Sequence, residues 1–141
     1  MGWRNVKVTL DTNVLLRTVL HDDIDQAAAA EALLERATLL VIPVPVFCEL
    51  SWVLRRSYRQ TAREVADTIE AICAIEKVVT DDLTVMAGIN VLRSGGDFAD
   101  GAIARQGETF GATILATFDQ QALTILRKSG LAAAEPGDVE N

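Results

Sequence analysis

VKVTLDTN, residues 6–13, decides the fold class: a short β-branched run breaks off at Asp11 and is followed at once by residues suited to a helix. The pattern returns near the other end as TILATFD, residues 113–119, an apolar run that breaks off at Asp119. Between these two strands the chain alternates. Residues 13–20 are apolar and short, Asp22 or Asp23 can cap an alanine-rich helix over 24–37, and 39–42 reads as a second strand. Pro43 and Pro45 favour a helix starting near 44–46 and running to about 57. Val65, Ile69 and Ile72 recur at helical spacing within 61–75, and 77–80 is a third, short strand. Asp81 or Asp82 caps a helix that Gly95 and Gly96 end. A helix over 98–109, the strand 113–118, a helix over 120–128 stopped by Gly130 and a last strand over 131–134 complete the order.

Strands separated by helices cannot be simple hairpins, so the expectation is an α/β fold with right-handed crossovers. Its central sheet should be mainly parallel, of four or five strands, with helices on both faces and both faces buried. One domain is expected over residues 1–134. The last seven residues, 135–141, hold three acids and no base and are expected to be a disordered acidic tail.

Composition narrows the function. The 141 residues are 50% hydrophobic and 23% charged, enough for a core without disulfides or a structural metal. No run approaches the roughly 18 to 20 apolar residues of a membrane span, and MGWRNVKVTLD lacks a signal peptide's apolar stretch and a myristoylation signal, so a cytoplasmic protein without lipid anchor is expected. Cys48 and Cys73 fall in helical patterns and read as buried thiols. A lone histidine, His21, excludes a histidine metal cluster and leaves carboxylates to carry the chemistry. The net charge of −7 argues against a broadly basic nucleic-acid surface but not against a metal-bridged one. A nucleotide phosphate loop and a dinucleotide fingerprint are both missing from the sequence.

Ligands of open parallel sheets bind beyond the carboxyl ends of the strands, which is where Asp11 and Asp119 fall. An aspartate after a strand is often only a helix N-cap, but two matching strand ends weaken that explanation. Thr12, Asn13 and Thr117 add hydroxyl and amide groups that can orient carboxylates. In GGDFADGAIA, Asp97 and Asp100 share a face at a helix start, where free N–H groups can either be capped by them or keep them ionised for a hard cation. In VPVFCELSWVL the apolar stripe is Val46, Leu50, Val53 and Leu54, and Glu49 borders it at about 40° from Val53.

Basic residues gather in RRSYRQTAR, where Arg55, Arg56, Arg59 and Arg63 surround Tyr58. Arginine beside an aromatic suits RNA phosphate contact with base stacking, while a plain helix C-terminus and solvated face is the competing explanation. Trp3 and Trp52 read as packing or interface residues.

The ordered set LDTN, CELSWVL, DFADGAIA and ATFD resembles the PIN-domain nucleases, most closely the VapC-type ribonuclease toxins of type II toxin–antitoxin systems, over nearly the whole chain. The resemblance implies an acidic quartet of Asp11, Glu49, Asp100 and Asp119, with Asp97 auxiliary and Thr12, Asn13 and Thr117 in support. It further implies Mg²⁺ or Mn²⁺ held by Asp11, Asp100, Asp119 and Asp97, hydrolysis of RNA phosphodiesters, a homodimer and a cognate antitoxin as inhibitor. Glu49 would position or deprotonate water. Two departures stand out: Gly101 where a larger helix former is usual, and Gln120-Gln121-Ala122 in place of charged and aromatic residues.

Two rivals remain. An inert PIN-like interaction module would keep the fold without the intact acids. A metal-dependent phosphatase would want a second aspartate two residues after the first, where Asn13 stands.

Overall fold

The computed structural model describes residues 5–139, so Trp3 and the last two residues of the acidic tail lie outside the described residues. Five strands and seven α-helices alternate: β1 (Lys7–Thr9), α1 (Thr12–Leu20), α2 (Ile24–Arg36), β2 (Leu39–Val41), α3 (Val44–Arg56), α4 (Ala62–Cys73), β3 (Val78–Val79), α5 (Asp82–Arg93), α6 (Phe98–Thr109), β4 (Leu115–Ala116), α7 (Gln120–Lys128) and β5 (Ala133–Ala134). The α/β class and the parallel pairing are as expected. The single sheet is not: β1, β2 and β3 form one parallel sheet, β4 and β5 a second, and no ladder joins β1 to β4 among the described residues.

Four of the helices, α2, α4, α5 and α7, start where the sequence offers a side-chain acceptor for a free N–H group three residues on. Asp23 accepts from Gln26, Thr61 from Glu64, Asp81 from Thr84 and Asp119 from Ala122. At the C-terminus of α2 the cap is foreign to the helix. The Lys77 ammonium donates to the carbonyls of Leu34, Glu35 and Ala37, tying the approach to β3 onto the end of α2.

The larger core lies between the three-stranded sheet and its helices and holds Leu10, Leu40, Ile42, Phe47, Leu50 and Ile69. A smaller one gathers Val91, Ala104, Leu123, Leu126 and Leu131 around the β4–α7–β5 unit. The stripe of α3 is rotated from its expected position: Phe47, Leu50, Ser51 and Leu54 are buried, while Val46 and Val53 sit on the flank. The strand expected over 113–118 contributes only Leu115 and Ala116 to the ladder, and Phe118 is 78% exposed. Nor is the larger sheet covered on both faces, since Lys7 and Thr9 of β1 are exposed.

Among the described helices α5 and α6 pack together most extensively, and two glycines permit the approach. A Cβ at Gly101 would lie 2.5 Å from the Ala87 carbonyl oxygen, and one at Gly88 would lie 2.4 Å from the Phe98 ring. Gly101, unusual by resemblance, is therefore what lets α6 rest on the α5 backbone. Phe98 fills the space above Gly88 and meets Phe47 with ring centroids 6.2 Å apart, which pins the start of α6 to α3. In the tail, Pro136–Asp138 forms a 3-10 turn and Glu135 accepts a hydrogen bond from Gln120.

Candidate active site

Both strand-end aspartates fall just past the last ladder bond. Leu10 N–H donates to Val41 at 3.0 Å before the chain reaches Asp11, and Thr117 N–H donates to Ala134 at 3.0 Å two residues before Asp119. Asp11 then takes the N-cap of α1, accepting from Thr12 N–H at 2.7 Å, and Asp119 takes that of α7, accepting from Ala122 N–H at 3.0 Å. Each cap occupies one carboxylate oxygen, so its partner oxygen remains for a ligand.

Thr12 links two acids. Its hydroxyl, on a buried residue, donates to Glu49 Oε2 at 2.9 Å, so the start of α1 and the second turn of α3 meet there. Glu49 itself is exposed, which leaves its other oxygen open to water. Asn13 makes no hydrogen bond to an acid among the described residues and instead borders a groove between α1 and α2. Thr117 supports Asp119 through the backbone, its hydroxyl accepting from Asp119 N–H at 3.1 Å.

A second group forms at the start of α6. Asp97, Asp100 and Asp119 line one cavity of about 150 Å³, with Arg55 on its wall. Asp97 stands at the N-cap position but makes no capping bond; its carboxylate pairs with Arg55 at 3.0 Å, and Arg55 also donates to the Gly96 carbonyl at 3.0 Å. Asp100 is half-buried. Desolvation first, then the charges of Asp97 and Asp119, push its carboxyl above the usual aspartate value.

The acids thus fall into two groups, Asp11 with Glu49 through Thr12, and Asp97 with Asp100 and Asp119. No hydrogen bond or ion pair joins the groups among the described residues, and no three His, Cys, Asp or Glu side chains there converge into a ready metal cage. Packing nonetheless ties their supports together, because α3, which carries Glu49 and Arg55, packs on α6.

The arginine cluster divides. Arg55 serves Asp97, Arg56 lies over the Trp52 ring at 5.7 Å from its centroid, and Arg59 and Arg63 are exposed without an ion pair among the described residues. Tyr58, expected as the aromatic of this cluster, donates its hydroxyl to Asp22 at 3.2 Å instead. Trp52 is 60% exposed, which removes the packing half of its expected role and leaves the interface half open. His21 caps α1 in a left-handed conformation and faces Glu31 at 3.3 Å. The cysteines are only half-buried, and desolvation raises both thiols, Cys73 to about 11. Two contributors escaped the sequence reading, Arg55 as counter-ion of Asp97 and Gly88 as the seat of Phe98; a glycine in mid-helix was the available signal for the second.

None of the described helices is long and apolar enough to cross a membrane. No curated protein is similar enough to the chain to count as a match. The PIN domain profile matches residues 8–127, a span that begins within β1 and ends within α7 and so takes in Asp11, Glu49, Asp97, Asp100 and Asp119. The chain belongs to the PIN domain family, a family of nuclease-type fold.

Proposed function

We propose that the protein is a divalent-metal-dependent endoribonuclease of the VapC type, the toxin of a toxin–antitoxin pair, built from residues 1–134 with an acidic tail over 135–141. The observation that carries this reading is the cavity in which Asp97, Asp100 and Asp119 gather, with Asp100 half-buried and its carboxyl pushed above the usual aspartate value by desolvation first and then by the other two charges. PIN-domain nucleases typically use divalent metal ions. The donor set fits such an ion in kind, since carboxylate oxygens suit hard cations and crowding of like charges is relieved by one. No three acids form a finished cage among the described residues, so binding requires their side chains to turn inward.

Asp100, Asp119 and Asp11 are the proposed ligands of Mg²⁺ or Mn²⁺, with Asp97 as an auxiliary held by Arg55. When bound, the ion supplies positive charge that stabilises the phosphoryl oxygens and eases deprotonation of water. Glu49, fixed through one oxygen by Thr12, presents the other to accept the proton of the attacking water. Asn13 and Thr117 support the rim, and Arg55, Arg56, Arg59 and Arg63 contact the RNA backbone, offsetting the repulsion that an acidic surface exerts on phosphate.

A cognate antitoxin, a homodimer and action in the cytoplasm follow from the resemblance to VapC toxins. Ile103, Ala112 and Ile114, which line an exposed apolar groove, support a protein-covered face.

The test incubates the purified chain with labelled structured RNAs in Mg²⁺ or Mn²⁺, with EDTA and Asp11→Asn as controls. Cleavage abolished by both is the expected result. Cleavage that survives both overturns the mechanism, inactivity with tight binding to a protein partner favours an inert module, and phosphate release from small esters favours a phosphatase.

A further inference from the structure

Beside the acidic cavity lies a larger one, of about 520 Å³, that the reaction as described leaves unused. Its walls carry Trp52, Arg55, Arg56, Gln60, Asp97 and Phe98. Arg55 and Asp97 also line the acidic cavity, so their ion pair is a partition shared by the two spaces.

Three features of this space point to a ligand. Trp52 is well exposed although it is the largest apolar surface on α3, and an indole left in water is costly unless something covers it. The Arg56 guanidinium lies over that ring, which gives a flat surface that is both π-rich and cationic. The Gln60 side-chain oxygen is shielded from water and receives no hydrogen bond, an acceptor that a rotated carboxamide can offer to an N–H group in the cavity. The volume falls within the range of small-molecule sites.

We propose that this cavity is a nucleobase subsite: an unstacked base of the RNA strand whose phosphate occupies the acidic cavity stacks on the Trp52–Arg56 pair and turns its hydrogen-bonding edge to Gln60. The proposal rests on the nuclease reading above and adds to it which part of the substrate is gripped. A base inside an A-form helix is already stacked and cannot enter, so the substrate at this point is single-stranded, a loop, a bulge or an end. The occupant is a nucleotide rather than a protein side chain because the walls combine two guanidinium groups, a carboxamide and one exposed aromatic face, Phe98 being buried and the Asp97 carboxylate already paired with Arg55, a composition that suits a base and its phosphates. The Arg55–Asp97 partition lets one guanidinium touch the strand between the base and the acids.

The experiment measures fluorescence anisotropy of a labelled single-stranded RNA pentamer and of an abasic ribose–phosphate chain of equal length, in Ca²⁺, with the full chain. The wild type is expected to bind the pentamer about tenfold more tightly than the abasic chain. Trp52→Ala should erase that ratio while Trp52→Phe retains most of it, and Gln60→Ala should keep the stacking gain but flatten preference among the four bases. Equal affinity for the two chains, no binding of either, or an unchanged ratio in Trp52→Ala overturns the subsite. A Trp52→Ala effect confined to the sedimentation coefficient also overturns it, assigning the face to a second copy of the chain. Because the readout is binding, a protein that never cuts RNA yet shows the Trp52-dependent ratio would sink the nuclease reading and leave the subsite standing.

Discussion

The two sheets differ in what stands behind them. Asp11 and Glu49 rest on the larger core, where Leu10, Phe47, Leu50 and Ile69 are fully or almost fully buried, whereas Asp119 rests on the β4–α7–β5 unit, whose smaller core mixes Ala104, Ala122 and Ala133 with Val91, Leu123, Leu126 and Leu131 and holds no aromatic ring. Helix α6 spans both, with Phe98 and Ala102 in the larger core and Ala104 in the smaller. The lesson is that the acids do not share one rigid rim: one group is set by a well-filled layer, the other includes a residue on a lightly built one. On the proposed reading, a site that draws in around a cation would find its compliance on the Asp119 side.

The sharpest way to break this comparison is a matched pair of truncations. Leu50→Ala should lower global stability by about 2–5 kcal/mol, while Leu126→Ala, of similar cost, should reduce protection from hydrogen exchange chiefly in α7, β4 and β5. If Leu126→Ala reduces protection in β2 equally, the two sheets open as one cooperative body. Next in size, Asp11→Asn and Asp119→Asn should each slow RNA cleavage by about a hundred- to a thousandfold, the equivalent of several kcal/mol of lost charge stabilisation. Full activity in Asp119→Asn would reduce the smaller unit to scaffolding.

A smaller effect tests the bridge. Gly101→Ala gains helix propensity but drives a methyl into the Ala87 carbonyl, and a net loss of about 1–3 kcal/mol is expected from denaturant unfolding. The smallest concerns Asp100 alone. Its folded carboxyl holds a proton more tightly than the unfolded one, so the penalty is absent below the unfolded value, grows as pH rises past it, and is complete above the folded value. Asp100→Asn should therefore raise the melting temperature by a few degrees at neutral pH in EDTA. That gain should shrink as pH falls towards the aspartate range, and Mg²⁺ should narrow it by stabilising the wild type alone.

Much of this was legible locally. Helix α7 begins and ends where Asp119 and Gly130 mark it, because caps and glycines act within one turn; α6 begins after Asp97 as expected, although that side chain turns to Arg55 instead of capping it. Strand ends followed by aspartates marked both acids of the rim. What stayed hidden depends on contacts distant in sequence. No pattern around Thr12 names Glu49, 37 positions away, as its acceptor. Likewise the burial of Phe47, with Val46 on the flank, goes with its contact to the Phe98 ring above Gly88, which is tertiary. The apolar run 113–118 promised a core strand, yet only two residues pair, since the partner β5 is itself only two residues long. Trp52 could not be read as exposed because its neighbours are apolar on one side and basic on the other, and only the fold decides which side it joins.

The Lys77 ammonium, fastened to three carbonyls at the end of α2, has a practical consequence. Acylating reagents meet the exposed amines of Lys7 and Lys128 directly, but they meet that of Lys77 only after it lets go of those oxygens. Its labelling rate is a built-in clock for the parting of helix and sheet, readable by mass spectrometry in an unmodified chain.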